Sequence, residues 1–169
     1  MSHGFWRAAG TGAALSLTVA LGACSDEAGD TGAVATSAAA EAGTIPGMTI
    51  SNARMVLAPV AGNPAAIYFD LAYEGEKGLT IRKAEIAQAQ SAMLHQYGEY
   101  DFKVQMMEAL PIPLTKGTRV EFKPGDLHVM AMQPDASLKP GDLVDVTLTV
   151  SGGMTHTFKA EVRAAGEAR

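Results

Sequence analysis

Residues Val144 to Val150 alternate without a break. Val144, Val146, Leu148 and Val150 fall on one side of an extended chain, and Asp145, Thr147 and Thr149 on the other. Period-two patterning suits a half-buried strand and is wrong for a helix, whose apolar positions recur every three to four residues. Ile67-Tyr68-Phe69-Asp70-Leu71 and Val120-Glu121-Phe122 are further β-rich runs. The punctuation between runs is equally specific. Lys123-Pro124-Gly125-Asp126 and Lys139-Pro140-Gly141-Asp142 each place Pro-Gly where a type II turn needs a fixed φ followed by a positive one. Nothing else repeats at that offset, so the shared Lys-Pro-Gly-Asp-Leu is recurrent turn chemistry rather than duplication. Ile81 to Met93 has helix-favouring Ala, Gln and Glu, but it sits between strand signals and reads as two short strands with a bend. Roughly seven to nine short strands in about 115 residues predict an all-β fold, an antiparallel Greek-key sandwich or barrel. Pro111 and Pro113 mark an edge or a crossover, because proline cannot donate to an interior ladder.

Residues 1–23 read as an export signal, with Arg7 as the positive region and Ala13 to Leu21 as a short apolar core. A membrane-spanning helix needs about 20 mostly apolar residues, and Gly10, Thr11 and Gly12 cut this run short. Leu21-Gly22-Ala23-Cys24 resembles a bacterial lipobox, which implies cleavage before a lipidated Cys24. A multiply acylated cysteine anchors a protein firmly where a single chain does not. The resemblance therefore implies a periplasmic protein held to a membrane by lipid. Ser25, in place of an inner-membrane retention aspartate, tilts the expectation toward the outer membrane. Residues 24–46 are rich in Ala, Gly, Ser, Thr and acids, and read as the lipidated cysteine followed by a flexible tether spanning about 26 Å as a coil. Residues 47–165 form the expected β domain, and 166–169 a short tail. Cys24 is the chain's one cysteine, so no disulfide framework is possible and the core must hold the fold. Without the signal the chain carries 12 basic and 18 acidic residues, a balance that argues against nucleic acid as a partner.

The chemistry-bearing residues are histidine and methionine. His128 and Met130, two apart on a strand, leave the same face, with Val129 and Ala131 on the other. His95 has Met93 two residues before it, although polar Gln96, Gly98 and Glu99 equally suit a solvated loop histidine. Met106 alternates with Val104 and Phe102 and could be a core residue, with Met107 outward beside Gln105 and Lys103; alternation alone leaves the choice between the two methionines open. Met132 adds a thioether, and Met154 with His156 forms a further same-face pair.

The spacing of His95, Met106, His128 and Met130, H-x10-M-x21-H-x-M, resembles the metal motif of the periplasmic copper chaperones of the PCu(A)C family. Ala65-Ala66-Ile67-Tyr68-Phe69, Ile112-Pro113 with Lys116-Gly117, and Pro124 through Met130 resemble other family segments, so the likeness covers about residues 48 to 163. Asp126 departs from a usual glycine, Gln96 from methionine or glutamate, and Tyr73 from asparagine; none of these removes a metal donor. The resemblance selects Met106 over Met107. It implies a cupredoxin-like fold, one Cu(I) held by His95, Met106, His128 and Met130, and delivery of copper to a cuproprotein acceptor or another copper chaperone, in cytochrome c oxidase assembly, without catalysis. Thioethers and imidazoles are suited to Cu(I). Three rivals stand beside this reading. A blue-copper carrier needs a cysteine thiolate, which the domain lacks. A zinc hydrolase would have to use His95, His128 and His156 without any H-E-x-x-H arrangement. The alternative without metal is a structural or assembly lipoprotein domain.

Overall fold

The period-two runs pair into ten strands, and no helix occurs among residues 43–167, the part that the computed structural model describes. They are β1 (Met48–Val56), β2 (Ala65–Tyr73), β3 (Leu79–Ile86), β4 (Ala89–Tyr100), β5 (Lys103–Glu108), β6 (Ile112–Leu114), β7 (Thr118–Phe122), β8 (His128–Pro134), β9 (Leu143–Val150) and β10 (Thr155–Arg163). The expected signal 1–23, Cys24 and the tether up to residue 42 lie outside the described residues. The hydrogen-bonded order is β5-β4-β8-β2-β1-β10-β9-β3-β6, with β7 also on β2, and the sheet does not close into a barrel. The expected all-β, cupredoxin-like architecture is present, with ten strands rather than seven to nine and one ladder that is not antiparallel. β1 runs parallel to β10, whereas the other described ladders are antiparallel. Parallel neighbours cannot share a tight hairpin, and these two come from opposite ends of the domain.

Several local readings have direct counterparts. The ambiguous stretch is two strands, β3 ending at Ile86 and β4 starting at Ala89. Both Pro-Gly turns close as anticipated: Asp126 N–H donates to Lys123 O at 3.2 Å with Gly125 at φ +78°, and Asp142 N–H to Lys139 O at 3.1 Å with Gly141 at φ +97°. Pro113 lies in β6, the edge strand beside β3.

β2 organises the core. Ala65, Ile67, Phe69, Leu71 and Tyr73 are buried, while Ala66, Tyr68, Asp70 and Ala72 face the other way. Its first residues pair with β8 and its later ones with β7, so the strand changes partner around Tyr68 and Phe69. Phe69 stacks on Phe122 with ring centroids 4.0 Å apart and meets Phe158 at 4.9 Å. Burying one such side chain contributes about 1.5–3 kcal/mol. From β8 and β4, Val129, Ala131 and Leu94 join this interior. The opposite faces of those two strands carry His128, Met130 and His95, so the core fixes the outward donors.

The β domain begins earlier than composition suggests. Thr157 N–H donates to Gly43 O at 2.8 Å, Ile45 N–H donates to His156 Nδ1 at 3.1 Å, and Ile45 is buried. A side chain at Gly43 would collide with Thr155. Residues 43–46 therefore belong to the β domain. A single buried isoleucine among small polar residues was too weak a signal to move the boundary.

His156 is buried, and its Nδ1 accepts from Ile45, so the folded ring is neutral; burial holds its pKa below the usual 6.5. Below about 6.5 the unfolded chain binds a proton that the folded chain resists. The stability contribution is therefore present above pH 6.5 and is lost as pH falls toward the depressed folded value. Urea unfolding of the copper-free protein should show a midpoint that drops on acidification below pH 6.5, and NMR titration should place His156 below 6.5. A His156 that titrates at or above 6.5 would contradict this account.

Candidate metal centre

The β4–β8 ladder sets the site. His95 lies opposite His128, Met93 opposite Met130, and Ser91 opposite Met132, all on one face. On the other side of β4, Met106 in β5 lies opposite Tyr97, and Glu108 opposite His95. Directly opposed residues share a face, with Cβ atoms about 5 Å apart, and diagonal neighbours lie within reach of long side chains. Around His95, therefore, His128 is the direct neighbour and Met130 and Met106 are neighbours on opposite diagonals. All four residues singled out from sequence are on one face of three adjacent strands.

The register also separates the two adjacent methionines. Met107 lies opposite Gln96, on the face away from the histidines, and packs over Gly98. Met106 is not a core residue: it is 38% exposed, and Val104 and Phe102 beside it are 75% and 95% exposed. Phe102 does not continue the alternation, because it and Asp101 form the β4–β5 turn with φ of +58° and +51°. Two positive φ values in a two-residue hairpin loop match the right-handed twist of the flanking strands.

His128 is 3% exposed although it points away from the core. Rings cover it: His95 at 6.0 Å in an edge-on arrangement, Tyr97 at 5.9 Å and Tyr68 at 6.3 Å between centroids. Its Nδ1 lies 2.8 Å from Asp126 O. A carbonyl can only accept, so Nδ1 carries the proton and the Nε2 lone pair is left open. This is the tautomer-fixing bond that metal-ligating histidines use. It comes from the backbone of residue 126, so aspartate in place of glycine there leaves it intact.

His95 belongs to a strand rather than a solvated loop. Its Nδ1 is buried without a hydrogen-bond partner. Burial, reinforced by His128, holds its pKa below 6.5, with Glu108 pulling the other way. The ring is therefore neutral at pH 7 and offers a lone pair. An unsatisfied buried nitrogen costs about 1–3 kcal/mol, which a coordinated cation would relieve.

On this face the register sets thioethers diagonal to the imidazoles, with the Glu108 carboxylate directly opposite His95 on β5. Among the described residues, no group of three or more His, Cys, Asp or Glu could hold a metal. His156 is on β10 and bonded to Ile45, so the three-histidine arrangement is not assembled. Met154, 45% exposed, precedes that strand. Two imidazoles with soft sulfur fit Cu(I), which favours such ligands over carboxylates.

Sequence reasoning passed over Tyr97, Tyr68, Glu108 and the Asp126 carbonyl. Tyr97 was accessible, being two residues from His95 on the same strand. Tyr68 and Glu108 needed the long-range pairings of β2 with β8 and β4 with β5. Nitrogen-detected NMR of the copper-free protein should find His128 as the Nδ1–H tautomer, in the wild type and in Asp126→Gly alike. An Nε2–H tautomer would overturn the assignment.

The fold is that of PCuAC domains. The copper-bound PCuAC domain from PmoF2 is 17% identical, covers 72% of this chain and 96% of its own, and superposes with a TM-score of 0.58. The apo PmoF2 PCuAC domain gives 16% identity, 75% and 98% coverage and a TM-score of 0.59. The solution structure of CuI-DR1885 from Deinococcus radiodurans is 27% identical over 80% of this chain and 89% of its own, with a TM-score of 0.52. No protein of curated function matches the sequence. Residues 48–162 match the LpqE-like family, whose description is of a lipoprotein, and the chain belongs to that family.

Proposed function

We propose that this protein is a Cu(I) carrier that binds one copper ion through His95, Met106, His128 and Met130 and passes it to a cuproprotein acceptor. The observation that carries the reading is the direct pairing of His95 with His128, each with an unengaged ring nitrogen, with thioethers on the same face. The copper bound by the PmoF2 domain and by DR1885 supports the same cargo. Assembly of the cytochrome c oxidase copper centre is the acceptor role that the family resemblance implies.

The ligand types suit transport. Neutral donors hold Cu(I) without fixing it electrostatically, and a thiolate-rich acceptor can displace them one at a time. The Leu21–Cys24 lipobox and the lipoprotein description of the family support an exported, lipid-anchored protein, periplasmic and, on Ser25, at the outer membrane. The tether then lets the carrier reach partners near that surface.

Anaerobic titration of the full chain with Cu(I) against a chromogenic chelator tests the assignment. Met106→Leu with Met130→Leu keeps side-chain volume nearly constant and should weaken binding by roughly tenfold or more, about 1.4 kcal/mol. Unchanged affinity in that folded variant would refute the ligand set. Protonation competes with copper for imidazole but not for thioether. Because His95 is held below 6.5, release should begin below about pH 6.5. Copper retained unchanged down to about pH 4 would remove the histidines from the site.

A further inference from the structure

Met93 occupies a position that the four-residue motif does not use. It is opposite Met130 and two residues before His95 on the same face. His95, His128, Met93 and Met130 thus fill a square of adjacent positions on two strands, two nitrogen donors above two sulfur donors. Met106 does not belong to that square. It lies on β5, the edge strand, at the level of Tyr97, whereas Met130 lies at the level of Met93. In a flat sheet the backbones of Met106 and Met130 would be separated by two strand spacings, roughly 10 Å, and four residues of rise, roughly 13 Å. Met93 and Met130 are separated by one spacing and no rise.

Met93 is not part of the hydrophobic core: it is 40% exposed and faces away from the interior that Leu94 and Val129 enter. Met132, opposite Ser91, is one step further from the histidines and lacks a direct imidazole neighbour on either strand.

We infer that Met93 is a further Cu(I) ligand, forming with His95, His128 and Met130 a compact set in which Met93 and Met106 exchange as the second thioether. The inference rests on the copper-carrier reading. The square holds the ion against the rigid sheet, while Met106 on the edge hairpin is the donor that can swing toward it or leave. An ion that loses Met106 to an incoming partner then keeps two sulfur neighbours.

The test is Cu(I) affinity together with a sulfur count by X-ray absorption, on the full chain and on Met106→Leu, Met93→Leu, the double variant and Met132→Leu. Both target methionines are partly exposed, and leucine conserves volume, so the variants should fold; thermal unfolding checks this. Met106→Leu should keep two sulfur neighbours, because Met93 replaces the lost one. Adding Met93→Leu should reduce the count to one and weaken binding by roughly a further tenfold, while Met132→Leu behaves as wild type. If Met106→Leu already shows one sulfur and Met93→Leu changes neither count nor affinity in that background, Met93 is no ligand and the four-residue site stands alone. A wild-type chain that binds no Cu(I) would sink the carrier reading itself, and this inference with it.

Discussion

The register of β4 on β8 is the constraint on which the site depends. A slip of one residue would send His95 inward and Leu94 outward, since side chains alternate along a strand. The core forbids it. Leu94 lies opposite Val129 and Ala92 opposite Ala131, and Ile67 and Ala65 of β2 continue the same two rows. Val129, Ala131, Ile67 and Ala65 are fully buried. Each large side chain in those rows contributes about 1.5–3 kcal/mol that a slipped register would forfeit. The histidine pair is thus placed by apolar packing on the far side of the same strands, so the fold itself sets the positions of the proposed ligands.

Much of this was legible because β structure writes itself in a period of two. The run from Val144 to Val150, the Pro-Gly turns and the same-face pairing of His128 with Met130 follow from local chemistry. What could not be read depends on partners distant in sequence. Alternation within β5 cannot say which face is inward when the strand is an exposed edge, so Met106 and Met107 were separable only through their opposites, Tyr97 and Gln96. Its own strand says only that His128 shares a face with Met130; three rings from β4 and β2 bury it there. The parallel docking of β1 on β10 leaves no local trace, because no short connection encodes it. Gly43 to Ile45 belong to the domain through one carbonyl, one amide and one isoleucine, a signal lost within a stretch of tether-like composition.

The two histidines are prepared differently. His128 is fixed: enclosed, with its tautomer set by a backbone carbonyl that no side-chain substitution at residue 126 removes. His95 is held neutral by burial but has a buried nitrogen with nothing to bond. One ring is a rigid anchor and the other carries an unmet demand. That asymmetry suits a ligand arriving from outside better than a structural contact, because a purely structural histidine in the same place would gain by pairing both nitrogens, as His128 and His156 each pair at least one.

Exposure then grades the donors in a useful order. His128 is almost sealed, whereas Met106 and Met93 are 38% and 40% exposed. Under the proposed reading, an acceptor approaching this face meets thioethers before it meets the His128 imidazole. Under the proposed reading, exchange would start at sulfur, where no proton is needed to free a ligand, and would end at His128, whose fixed ring holds the ion until other ligands have replaced the rest. A site built the other way round, with buried sulfur and exposed imidazole, would release its cargo to any fall in pH before a partner arrived. Placing the neutral, non-titrating donors outermost makes release depend first on a competing ligand and only secondarily on protons.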